Sequence, residues 1–312
     1  MDDKLKEIYK YQYWRQRIPL KDNLHTPGVI QSDLWQLLNL PESLVGKSFL
    51  DIGANDGMFS FIAEKKGAAK VVGSDLYKST IDSMKNGWSS VGIKMLIDFF
   101  ESKVTIHDKG VYDLKSINQS FDVVLMNDII NWLDDVESAI ENIGVVTNGR
   151  LYLSDGFIND LKASKKAKQV GPSLRYMYTV PFITDLLKKN GFKIVSITPL
   201  NYQPVFLNEY INTPVLDIAE NTPYYSLPNG EEMIGSFAKQ LHTKADGEMN
   251  GYFHVYKNGW VDKNQVQVKF NSPSKYYAVA KRLGFMNLYL HLQNIRYQKQ
   301  TNIAAFQIVA EK

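Results

Sequence analysis

Phe49-Leu50-Asp51-Ile52-Gly53-Ala54-Asn55-Asp56-Gly57 is the stretch on which the reading of this chain turns. An apolar run, Ser48–Ile52, is stopped by Gly53, and a helix-forming segment, Met58–Lys66, starts directly after Gly57. Strand, glycine-bearing turn and helix in that order make either a ligand-binding turn at the carboxyl end of a buried strand or an ordinary turn whose glycines serve geometry alone. Gly53 is expected where the backbone approaches a ligand and a Cβ would collide. Gly57 is expected to permit the turn into the helix, whose first N–H groups lack intrahelical partners.

Eighteen residues past Gly57 a second apolar run, Lys70–Ser74, ends at Asp75. An ionised carboxylate there only accepts hydrogen bonds and suits the two ribose hydroxyls of a nucleoside. A dinucleotide site needs Gly-x-Gly-x-x-Gly. Aligned from Gly53, its second and third glycines would be Asn55 and Met58, so the fingerprint fails. Asp51 and Asp56 also place negative charge beside the turn, which repels a phosphate and suits a cationic ligand.

Outward from this unit the same rhythm repeats. A helix is expected from about Ser79, strands at Val104–His107 and Phe121–Met126, then a helix presenting Trp132, Leu133, Val136 and Ile140 on one face. Arg150–Ser154 reads as a strand, Val180–Asn190 as a helix and Phe192–Ile197 as another strand. Alternating strands and helices imply right-handed parallel crossovers, hence an α/β, doubly wound sheet covered on both faces.

Towards the N-terminus, Leu5, Ile8, Tyr9, Tyr13 and Trp14 predict an amphipathic helix over Leu5–Ile18, and Ser32 caps a short helix through Leu38. Towards the C-terminus, Ser272-Pro273 opens a long helix to about Gln298, and Ala304–Val309 reads as a strand that completes the main sheet. The expected organisation is an N-terminal helical extension over 1–45, a nucleotide-binding domain over 46–200, an insertion or cap over 201–300, and the last strand over 301–312. A separate C-terminal domain is the rival division.

The 312 residues carry a net charge of only +3, which marks no global attraction to nucleic acid. Cysteine is absent, which excludes disulfides, thiolate metal sites and a cysteine nucleophile. The five histidines have no ligand spacing, so no metal is expected. The charged start Met1-Asp2-Asp3-Lys4 and the lack of a long apolar run point to a cytoplasmic protein with no membrane segment. Nothing in the pattern specifies an oligomeric state.

The segment Phe49–Gly57, with Asp75 after the second strand, resembles the first motifs of the class I S-adenosylmethionine (SAM)-dependent methyltransferases. Gly110-Val111-Tyr112-Asp113-Leu114 resembles that family's adenine-contacting loop, and Phe121–Asp128 its fourth strand and the loop after it. The resemblance implies a Rossmann-like, mostly parallel seven-stranded sheet and SAM as cofactor. It further implies a binding set of Asp51, Gly53, Asn55, Asp56, Gly57, Asp75, Leu76, Val111, Tyr112 and Asn127. In that set Asp51 and Gly53 lie near the amino-acid moiety, and Asp75 holds the ribose. Tyr13-Trp14-Arg15 through Thr26-Pro27-Gly28, with Gly67–Gly73, is more narrowly similar to the branch holding the tRNA wobble-uridine carboxymethyltransferase. That branch often carries Tyr-His where this chain has Asn131-Trp132.

Three residues are candidates for the chemistry beside the cofactor. Asp128 follows the fourth strand and is either a polar group at the methyl or a helix cap. Asp155 follows the fifth strand, before Gly156, and either faces the methyl acceptor or stabilises a turn. His25 either reaches over the site or is a solvated loop residue. Trp132 reads as core on its helix face, or as a cation–π partner of a sulfonium. Lys162, Lys165, Lys166 and Lys168 form either a solvated face or a grip on an anion. With no cysteine and no Asn/Asp-Pro-Pro-Tyr/Phe after the fourth strand, methylation of pyrimidine C5 or of exocyclic base amines in DNA is excluded. The expected function is methylation of an oxygen or nitrogen of a small-molecule metabolite. The alternatives are tRNA wobble-uridine methylation or carboxymethylation, and a SAM-binding scaffold or regulator without transfer activity.

Overall fold

The computed structural model describes residues 3–28, 30–31, 34–76, 90–162, 164, 166–167, 176–200, 215–269 and 303–312. They fall into two compact units, one drawn from Met1–Ser32, Lys78–Ser102 and Val205–Gly284, the other from Asp33–Tyr77, Lys103–Pro204 and Phe285–Lys312. The start of the helix expected from about Ser79 and the whole helix expected from Ser272 lie outside the described residues; Val91–Phe100 is helical. Among the described residues no helix is long and apolar enough to cross a membrane.

The second unit is built on seven strands: β1 (Ser48–Ile52), β2 (Lys70–Ser74), β3 (Thr105–His107), β4 (Phe121–Asn127), β5 (Thr147–Ile158), β6 (Lys193–Pro199) and β7 (Ile303–Glu311). Their spatial order is β6-β7-β5-β4-β1-β2-β3, with β7 antiparallel to both neighbours and the other pairings parallel. This is a Rossmann-like, mostly parallel seven-stranded sheet. Helices α1 (Met58–Lys65), α2 (Val136–Val146) and α3 (Val180–Lys189) pack with it.

Side chains alternate across each strand, and the two faces bury different partners. Leu50, Ile52, Val124, Met126, Leu151 and Leu153 join α2 and α3 residues Ile140, Ile143, Ile183 and Leu187 in one cluster. Phe49, on the opposite face of β1, meets the ring of Trp35. Asp51 shares the parity of Phe49 and is turned towards α1. Full burial of each large apolar side chain stabilises the fold by about 1.5–3 kcal/mol, so this two-sided packing holds the strand ends in place.

Strands β1, β2, β4 and β5 are in register at their carboxyl ends, where Ile52 pairs with both Ser74 and Met126, and Met126 with Leu153. Gly53, Asp75, Asn127, Asp128 and Asp155 therefore follow along one edge of the sheet. The strand expected to stop at Ser154 runs on to Ile158. The reason is β7, which pairs with β5 from Arg150–Glu311 to Ile158–Ile303 and extends the ladder past Asp155 and Gly156.

The first unit is rich in antiparallel strands. Val215–Ile218 is the middle strand of one three-stranded sheet, and Pro223–Tyr225, Met233–Ser236, Gly247–Met249, Tyr252–Val255 and Gly259–Asp262 form a five-stranded one. The helix predicted over Leu5–Ile18 ends at Lys10. Pro19 disfavours a helical Ile18, and Gln16-Arg17 pairs instead with Ile30-Gln31. Trp14 stays buried, with its indole N–H donating to the Ile8 carbonyl at 2.8 Å.

Candidate functional site

Gly53 and Gly57 both have left-handed backbones, with φ of 79° and 91°, and Asn55 between them has φ 53°. The turn folds back on β2: the N–H groups of Gly53 and Ala54 both donate to the Ser74 carbonyl. A Cβ on Gly53 would sit 2.2 Å from Cδ1 of Ile129, so this side chain would have to shift, and the left-handed backbone at φ 79° favours glycine in any case. Gly57 precedes α1 as expected.

Asp75 is partly exposed at the end of β2. Its Oδ2 accepts the Asn55 N–H at 2.9 Å, and its Oδ1 accepts the Leu76 N–H at 2.7 Å. These two bonds hold the carboxyl group in orientation. Leu76 itself is exposed.

Asp51 is 2% exposed and accepts the Ser60 hydroxyl at 2.7 Å. Burial pushes its pKa up to about 7, with the Asp75 charge adding to the rise and the Ser60 hydrogen bond opposing it. A carboxyl group half-ionised at neutral pH becomes fully charged when a cation is placed beside it. Asp56 is buried as well.

Asn127 accepts the Ser154 hydroxyl at 2.7 Å, and Asp128, with φ 57°, donates its N–H to the Ser154 carbonyl at 2.9 Å. The alternative role of Asp128 as a helix cap is not what the structure shows. Asp135 caps α2, accepting the Ser138 N–H at 3.1 Å. Between them lies a 3-10 turn, Ile130–Trp132, and an extended Leu133. The single helix face expected from Trp132 to Ile140 is therefore broken, and Trp132 is 42% exposed where core packing was expected. Its neighbour Asn131 takes the interior place, 3% exposed.

Asp155 shares the parity of Leu153 and Phe157, which puts it on the apolar α2 and α3 face, opposite Phe306 of β7. It is a strand residue, 5% exposed, where a turn was one of the two expectations. Its Oδ1 accepts Asn131 Nδ2 at 2.6 Å and the Gly156 N–H at 2.7 Å. Burial first, and the Asp128 charge second, hold its pKa well above the usual carboxylate range.

Val111 is buried in the core of the sheet unit. Tyr112 is 43% exposed, and its hydroxyl accepts the Asp135 N–H at 3.1 Å. His25 belongs to the other unit, where its carbonyl accepts the Tyr9 hydroxyl. Burial and the Arg17 charge lower its pKa, leaving a neutral imidazole at pH 7. Lys162 and Lys166 are exposed, with Lys166 lying 4.9 Å over the Tyr176 ring; Lys165 and Lys168 lie outside the described residues.

One edge thus collects the turn Gly53–Gly57, Asp51, Asp75, Asn127, Asp128 and Asp155. Ser60, Ile129 and Asn131 are additions that the pattern of residues did not single out as site residues. Ser60 is nine residues from Asp51, a distance that no local period connects. The set of groups fits a nucleoside carrying positive charge: an oriented carboxyl group at Asp75, and a carboxyl group at Asp51 that a cation would ionise.

A family profile described as a methyltransferase domain matches residues 25–197, more than half of the chain. The ribosomal protein L11 methyltransferase of Dictyoglomus thermophilum is 26% identical over 115 residues, 37% of this chain and 34% of that protein, so the match spans about a third of that relative. Among solved structures, magnesium protoporphyrin IX methyltransferase from Synechocystis PCC 6803, with bound SAM, is 19% identical. It covers 55% of this chain and 71% of that one, with a TM-score of 0.40. An S-adenosylmethionine-dependent methyltransferase from Mesorhizobium loti is 17% identical over 54% of this chain and 83% of its own, with a TM-score of 0.36.

Proposed function

The chain belongs to the methyltransferase domain family, and we propose that it transfers the methyl group of SAM to an oxygen or nitrogen of a small molecule. The observation that carries this reading is the Asp75 carboxyl group at the end of β2, held in orientation by the N–H groups of Asn55 and Leu76 beside the turn Gly53–Gly57. That arrangement matches the two hydroxyls of a ribose at the end of β2. The turn Gly53–Gly57 and the buried Asp51 would lie along the charged, amino-acid end of the cofactor. When bound, SAM supplies a methyl group already activated on a sulfonium, so the chain's own task is alignment and proton handling.

Asp128 is partly exposed at the end of β4 and is the proposed proton acceptor. With the cofactor bound, this carboxylate would take the O–H or N–H proton of the methyl acceptor and pass it on to water. Asp155, buried and shifted towards its neutral form, is the proposed hydrogen-bonding wall behind it.

Calorimetric titration with SAM and S-adenosylhomocysteine tests the reading. The wild type is expected to bind both at micromolar concentration, and Asp75→Ala to lose that binding while keeping its thermal transition. Failure of the wild type to bind either ligand overturns the proposal.

A further inference from the structure

Asn131 is committed on one side only. Its Nδ2 donates to Asp155 Oδ1 at 2.6 Å and to the Gly156 carbonyl at 2.9 Å. The Gly156 carbonyl can only accept, so the amide cannot be turned the other way round. Its backbone is engaged too: the N–H donates to Asp155 Oδ2 at 3.4 Å, and the carbonyl accepts the Tyr176 N–H at 3.3 Å. Oδ1 is left over, a buried carbonyl oxygen to which no described residue donates. Buried acceptors are nearly always satisfied, by the protein, by water or by a ligand.

The surroundings select what could satisfy it. Four carboxyl groups, Asp51, Asp75, Asp128 and Asp155, lie at or just past the carboxyl ends of β1, β2, β4 and β5. Like-charge interaction already couples Asp51 with Asp75 and Asp155 with Asp128. A further anion at this edge would meet the same repulsion, whereas a neutral or cationic group would not.

We infer that the methyl acceptor is a neutral or cationic molecule that donates an O–H or N–H hydrogen to Oδ1 of Asn131. Asn131 is then a specificity-determining residue beside Asp128 and Asp155. The inference rests on the methyl-transfer reading and narrows it, because carboxylate and phosphate acceptors and acceptors without a donor hydrogen are turned away. A site built to hydrogen-bond one group discriminates strongly against analogues that lack it, since its own polar atom is then left unpaired.

Four probes of similar size separate the cases: benzylamine (cationic donor), benzyl alcohol (neutral donor), anisole (no donor) and benzoate (anion). The full chain, saturated with S-adenosylhomocysteine, is titrated with each while the side-chain amide resonances of Asn131 are followed by ¹⁵N NMR. Benzylamine and benzyl alcohol are expected to bind and to shift those resonances, with affinities about tenfold or more above anisole and benzoate. In Asn131→Leu that preference is expected to disappear. Equal binding of benzoate or anisole, no binding by any probe, or a preference that survives in a folded Asn131→Leu overturns the inference. The wild-type comparison decides the matter even where the variant does not fold. Loss of S-adenosylhomocysteine binding by the wild type would instead overturn the methyl-transfer reading, so the two failures are distinguishable.

Discussion

Replacing Asp51 by asparagine should remove a pH dependence from the stability of the sheet unit. Asp51 is fully buried on the α1 side of β1, and its pKa stands at about 7 against an ordinary 3.8. A folded state that holds its proton more tightly than the unfolded chain is favoured at low pH and loses that advantage as pH rises. The contribution is therefore full below about pH 4 and declines until pH passes about 7, where both states are ionised. The gap of about three pKa units corresponds to about 4 kcal/mol, of which some 2–3 kcal/mol falls between pH 5 and 8. Asparagine keeps an oxygen for the Ser60 hydroxyl and carries no charge to bury. Urea unfolding of wild type and Asp51→Asn at several pH values between 5 and 8 isolates the effect, because all other titrations cancel in the difference. The variant should gain on the wild type by about 2–3 kcal/mol across that range. A difference that stays flat, or that shrinks with rising pH, refutes the assignment of a raised pKa to this carboxyl group.

The same carboxyl group links pH to cofactor binding: SAM affinity should rise with pH by up to about tenfold per unit below 7 and level off above it, with no such rise in Asp51→Asn. Calorimetry across pH 5.5–8.5 reads this directly, and an affinity that falls as pH rises contradicts it. Gly53→Ala places a Cβ 2.2 Å from Ile129 Cδ1 on a backbone with φ 79°. It should cost about 2–4 kcal/mol, from left-handed strain together with overpacking. Combined with Ile129→Ala, part of that cost should return, and strict additivity in denaturant unfolding would show that the two side chains do not compete for space. Trp132→Ala should change stability by less than about 0.5 kcal/mol, since the indole is exposed; a loss of several kcal/mol would mean that it is packed.

How far the sequence determined this protein follows from the range over which each signal acts. The strand–turn–helix around Gly53, Asp75 at the end of β2, and the alternation of parallel strands with helices are local patterns, written in apolar periodicity and in glycines. They specify a doubly wound, mostly parallel sheet with Gly53 and Asp75 at the carboxyl ends of its strands. The acceptor side depends on partners distant in the chain. Asp155 reads either as facing the methyl acceptor or as a turn residue until β7, some 150 residues later, pairs across it and carries β5 onward, turning its side chain into the apolar face. The stronger cap at Asp135 starts α2 late, which releases Trp132 to solvent and sends Asn131 inward. Ile129 and Ser60 reach Gly53 and Asp51 only because the sheet and helix α1 bring them there. Sequence periodicity reports which face a residue prefers within its own element. Only the tertiary structure decides which elements meet, and therefore which polar atoms are buried, paired or left facing a ligand.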